Sequence, residues 1–188
     1  MWRVVNTNGW ILLGTGAFTI GGSITPISTP GPGGFVNAIS ALGLDLQGQT
    51  GSELSYKTEG VAPDRVLIVQ WREYRNSGAS GDNYNFQIRL YETTNDVVFE
   101  FGSFQKNSTN RFAQVGIRGA SNADFHNRTT TTSWGSTTQG TLNNQTCPLT
   151  SGILPSNGLV YKFTVYLDYG DAPDPTYPTL LASAGARH

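Results

Sequence analysis

Residues 159–167 place Leu159, Tyr161, Phe163, Val165 and Leu167 at every second position without a break. A two-residue period sends successive side chains to opposite faces of an extended chain, so these five share one face, and a strand with that face in a core is what uses them together. The period recurs at residues 84–92, where Phe86, Ile88 and Leu90 stand opposite Gln87, Arg89 and Tyr91, and at 97–101, where Val97, Phe99 and Phe101 stand opposite Val98 and Glu100. Thr93-Thr94-Asn95-Asp96 lies between the two runs, so they read as a hairpin with one buried face. The helical alternative needs apolar residues at i, i+3, i+4 and i+7, and no window of about 15 residues keeps that pattern free of Gly or Pro. With 23 Gly and 9 Pro in the chain, almost no helix is expected.

The remaining segments read as short strands and turns. Residues 2–13 form an edge strand, a turn at Asn8-Gly9 and a second strand through Trp10, while 15–37 are a long Gly/Pro-rich loop carrying Pro26, Pro30 and Pro32. Residues 35–46 fit a short strand or a helical turn, and 48–51 turn into an alternating strand at 54–58. Residues 65–74 put Leu67, Val69 and Trp71 on one face and Val66 and Ile68 on the other, the mark of a central strand. A further short strand follows at 114–118, and 121–150 is a polar loop interrupted by Phe125 and Trp134. The expected fold is an all-β, two-sheet antiparallel sandwich, jelly-roll-like, with long loops. Its boundary falls at residue 168: 1–167 form the module, and 168–188, with Pro173, Pro175 and Pro178, form an extended tail.

Charge and thiol content narrow the function. Twelve Lys and Arg against 13 Asp and Glu give a net charge of −1 with no basic block to track a phosphate backbone, so no nucleic-acid partner is expected. Cys147 is the one cysteine, and His126 and His188 are the only imidazoles, too few for an internal disulfide or a Cys/His zinc site. No signal peptide precedes Trp2 and no apolar run of about 18 residues is present, so the chain as given reads as soluble and not inserted in a membrane.

Three stretches stand in an order that resembles nidogen-type extracellular domains and their relatives in large secreted Bacteroidetes proteins. They are Val5-Asn6-Thr7-Asn8-Gly9-Trp10; residues 65–71 continuing to Asn85-Phe86-Gln87-Ile88-Arg89-Leu90-Tyr91; and Ala113-Gln114-Val115-Gly116-Ile117. Asp45, in Leu42-Gly43-Leu44-Asp45-Leu46, matches an acidic position of that pattern. The tail, opening Asp168-Tyr169-Gly170-Asp171-Ala172-Pro173-Asp174, looks like the start of a GEVED domain. These resemblances imply an exported, multi-domain protein of the bacterial cell surface, and they carry over no catalytic residue.

Candidate sites follow from residue chemistry. Catalysis by a nucleophile needs an oriented base, and His126 is the only imidazole before the tail; Glu53, Glu59, Glu73, Glu92 and Glu100 are scattered acids rather than an evident pair. A polysaccharide-active enzyme is therefore the disfavoured alternative. Asp168, Asp171 and Asp174 with nearby carbonyls offer oxygen ligands for Ca²⁺, the one cofactor the sequence suggests, and otherwise form a solvated acidic linker. Trp134, among Thr132, Ser133, Gly135 and Ser136, is either an aromatic platform for a sugar ring, completed by Phe125, His126 and Asn127, or a side chain folded back over the end of the sandwich. Asn107, Asn127 and Asn144 each begin an N-glycosylation acceptor triplet. The expectation is a non-catalytic adhesion or carbohydrate-binding module that meets a glycan or other surface ligand through loops 15–37 and 121–150. The alternative is a filament module that joins neighbouring copies by strand addition.

Overall fold

A computed structural model describes residues 2–14, 23–29 and 36–164. Val165, Leu167, the tail from Asp168 and most of the loop at 15–37 lie outside the described residues. Among those described, the chain makes two antiparallel sheets, one 3-10 turn and no α-helix. The all-β sandwich expected from the two-residue period is what forms.

Strands β1 (Trp2–Asn6), β2 (Trp10–Gly14) and β3 (Ala38–Gly43) begin the first sheet. The chain then crosses to the second sheet for β4 (Leu46–Gln47), β5 (Glu53–Glu59), β6 (Val66–Asn76), β7 (Asn83–Tyr91) and β8 (Val97–Gln105). It returns for β9 (Arg111–Arg118), β10 (Phe125–Thr129), β11 (Thr138–Gln139) and β12 (Cys147–Leu149), and β13 (Leu159–Phe163) closes the second sheet. The first sheet runs β1-β2-β3-β9-β10-β11 with β12 also on β9; the second runs β13-β8-β7-β6-β4 with β5 also on β6.

The Asn8-Gly9 turn closes the β1–β2 hairpin at the pair Asn6 and Trp10. Gly9 has φ +81°, and a Cβ there would lie 2.2 Å from the Leu42 carbonyl oxygen, so both backbone conformation and close approach require glycine. That approach has a use. The Gly9 carbonyl accepts from the Ala41 and Leu42 amides, and Asn8 Oδ1 accepts from the Leu46 amide at 3.0 Å, so the turn pins the crossover from β3 to β4.

The core sits between the sheets. On β6, Leu67, Val69 and Trp71 are buried toward the first sheet, while Ile68 is buried on the opposite face. Trp71 stacks on Phe86 with ring centroids 4.9 Å apart, and its indole N–H donates to the Asn6 carbonyl, tying the two sheets. Both β6 and β7 shift register near one end. The Asn85 amide holds both irregularities: Oδ1 accepts from the amide of Glu73, a residue at φ +56°, and Nδ2 donates to Asn83 Oδ1 and the Ser103 carbonyl.

Two expectations are corrected or narrowed. Residues 38–43 are a strand, every residue of it buried, and not a helical turn. The stretch 121–150 is not a single loop, because it supplies β10, β11, β12 and the 3-10 turn at Trp134–Ser136. These strands have five, two and three residues, too short for alternation to register, and their polar residues are drawn into the sheet by backbone pairing with β9 and β10.

Candidate functional site

Trp134 is 0 % exposed. Its indole N–H donates to the Pro148 carbonyl at 2.7 Å, Phe101 meets its ring edge-on at 5.3 Å, and the Tyr161 hydroxyl donates to its carbonyl. Ser133, whose Oγ accepts from the Gly135 amide, caps the short turn that delivers the indole inward. A ring with no accessible face cannot stack on a sugar, so the platform expected from its polar sequence neighbours is not there, and Trp134 instead packs the end of the core. Asn127 is also fully buried: its Nδ2 donates to the Leu142 and Gln145 carbonyls, which organises the loop after β11. Enclosed in this way, the glycosylation triplet that begins at Asn127 is sealed, whereas Asn107 and Asn144 are exposed.

Phe125 and His126 do come together. They line an apolar depression of about 310 Å³ with Leu13, Ile39, Val97 and Ile117. The His126 ring meets Phe163 edge-on at 5.2 Å, and burial, with the charge of Arg128, lowers its pKa. The side chains of Trp134 and Asn127 belong to other surroundings, so the four residues do not form one site. Asp168, Asp171 and Asp174 lie outside the described residues. Among the described residues no three His, Cys, Asp or Glu side chains gather to hold a metal ion.

The ionisable groups are engaged structurally. Cys147 is buried, its thiol donates to the Arg128 carbonyl, and burial pushes its pKa up to about 12, which suppresses the thiolate a nucleophile requires. Glu53, Glu59, Glu92 and Glu100 each pair with a cation, Arg72, Lys57, Arg65 and Arg89 respectively. Asp82 and Lys106 form a buried pair at 3.5 Å joining the start of β7 to the segment after β8. Desolvation alone would raise the Asp82 pKa. Hydrogen bonds from the Ser108 and Tyr84 hydroxyls and from the Asn107 and Ser108 amides outweigh it and hold the carboxyl well below the ordinary range. Asn76 Nδ2 adds a further donor, so this closed network staples loops and presents nothing to a substrate.

The open polar surface is the outer face of the second sheet. Register places Ser55, Gln70, Gln87, Glu100 and Val160 in one row across β5, β6, β7, β8 and β13, and Lys57, Ile68, Arg89, Val98 and Lys162 in the next. Gln87 Nε2 donates to Gln70 Oε1 at 2.7 Å and Arg89 Nε donates to Gln87 Oε1 at 3.1 Å, fixing the amides in a ladder. Gln70 Nε2 has no partner among the described residues. Beside the ladder lies a depression of about 170 Å³ lined by Gln70, Arg72, Asn85, Gln87, Glu100 and Gly102. Its floor exists because Gly102 carries no side chain: a Cβ there would meet the Asn85 Cβ at 3.1 Å.

Alternation alone shows that Gln87 and Arg89 point away from the core. It does not show that Gln70 and Gln87 are neighbours, because cross-strand adjacency depends on register. The row on this face is therefore legible only once the strands are paired.

A family model described as NIDO related matches residues 3–165 of the chain. No curated protein and no solved structure shows a significant match.

Proposed function

The chain belongs to that NIDO-related family, and from this premise we propose that it is a non-catalytic adhesion or carbohydrate-binding module of a secreted or cell-surface protein, bacterial in origin. Membership points to an extracellular module without catalytic chemistry. The observation that supports binding as its work is the outer face of the second sheet, where polar side chains are held in register by their own hydrogen bonds on a rigid scaffold. Pre-ordered groups lose little conformational entropy when a ligand arrives, so such a face suits recognition.

Strand addition to neighbouring copies is less well supported. The exposed edge strand β5 carries Glu53, Lys57 and Glu59, and charges on an edge oppose pairing with another chain. The test is a binding screen of the full chain against immobilised polysaccharides and extracellular matrix proteins, with sedimentation run in parallel. Saturable binding by a monomer supports the proposal. Concentration-dependent assembly without any ligand would replace it with the filament reading.

A further inference from the structure

We infer that the outer face of the second sheet is a binding site for an uncharged, extended glycan, seated across the Gln70–Gln87 ladder with Gly102 as its floor. This rests on the proposed binding function and specifies its ligand and location. Three depressions lie end to end on this face. The one at Gly102 shares Gln70 with a second, of about 330 Å³, bordered by Ser55, Lys57 and the exposed Tyr56 at the β5 edge. It shares Arg72 and Asn85 with a third, of about 370 Å³, reaching Ser103 and Gln105. The trough therefore crosses from β5 to β8, three strand spacings or about 14 Å, which is room for a short run of sugar units rather than a single small molecule.

The lining chemistry selects the ligand class. A sugar hydroxyl both donates and accepts, and a primary amide offers both in one plane, so unpaired amide positions such as Gln70 Nε2 match polyhydroxylated ligands. Charge decides between neutral and anionic glycans. Every cation on this face already has a carboxylate beside it: Lys57 with Glu59, Arg72 with Glu53 at 3.0 Å, Arg89 with Glu100 at 3.0 Å and Lys162 with Asp96 at 2.8 Å. Glu73, which lines the third depression, adds a further carboxylate, so a uronate or sulfated chain would meet more carboxylates than cations and gain no net attraction, whereas a neutral chain is not repelled by either sign.

The test uses the full chain against neutral polysaccharides (β-glucan, mannan, xylan) and polyanions (pectate, heparin) at low and high salt, beside Gln70→Ala/Gln87→Ala and Gly102→Val. The thermal transition of each variant is recorded, and the amide double variant serves if Gly102→Val fails to fold. The expected result is binding to a neutral polysaccharide that changes little with salt and falls about tenfold or more in the amide variant. Neutral-glycan binding that survives both substitutions would overturn the location while leaving the carbohydrate-binding reading intact. Binding confined to polyanions and lost in salt would overturn the ligand class. Binding to no glycan would overturn this inference together with the carbohydrate reading beneath it.

Discussion

Single residues here divide into those that hold the fold and those that face outward, and substitution separates them. Trp134→Ala removes a fully buried indole and is expected to cost about 3–5 kcal/mol in denaturant unfolding; any glycan affinity should persist in the fraction that remains folded. Asp82→Asn leaves the Lys106 ammonium buried without its counter-charge and should cost about 3–5 kcal/mol, whereas Lys106→Met, which leaves Asp82 its other donors, should cost less. Groups whose pKa is depressed in the fold predict the acid profile, His126 and Asp82 among them. The His126 pKa is depressed in the fold, so its contribution is complete above the unfolded value near 6.5 and is lost as pH falls through the folded value. Asp82 is also depressed, so its contribution is complete above about 4 and is lost in strong acid. Urea midpoints measured from pH 8 to 2 should fall in two stages; Glu92 and Asp96, held low by Arg65 and Lys162, titrate in the acidic stage as well, so Asp82→Asn should shrink that stage without removing it. Cys147 should resist a thiol reagent until the protein unfolds.

At the level of elements, the hairpin turn and the two irregularities on β6 and β7 do more than join strands. Gly9→Ala would put a methyl group 2.2 Å from the Leu42 carbonyl oxygen at a positive φ, so it should destabilise by well over ~1 kcal/mol and loosen the β3–β4 crossover. Hydrogen exchange at the Leu46 amide, which donates to Asn8, reports that loosening directly. Asn85→Ala removes hydrogen bonds to β6, β7 and β8 at once and should cost about 1–3 kcal/mol. The strands themselves were readable wherever alternation ran long enough: β6, β7 and β8 lie where the period put them, and β13 does so from Leu159 to Phe163, with the expected Leu167 outside the described residues. The short strands β10, β11 and β12 were not, since their residues are ordinary loop residues until β9 and β10 offer partners.

For the whole molecule, the arrangement predicts a gradient of stability. Strands β6, β7 and β8 are paired on both sides and carry the Trp71–Phe86 stack, while β5 has exposed residues along most of its length. Native-state hydrogen exchange should find the slowest amides in the former and much faster exchange in β5; uniform protection would contradict the edge assignment.

The sequence by itself determined the class of fold, the inward faces of the long strands, the tight turn at Asn8-Gly9 and the absence of a cysteine framework. Each of these depends on the local period or on the chemistry of adjacent residues. Only the tertiary structure decided that Trp134 enters the core, that Asn127 organises a loop from within, and that Gln70 and Gln87 stand side by side at the rim of a depression floored by Gly102. Those outcomes depend on which strands pair and in what register. Backbone hydrogen bonding and burial settle that cooperatively among residues far apart in the chain.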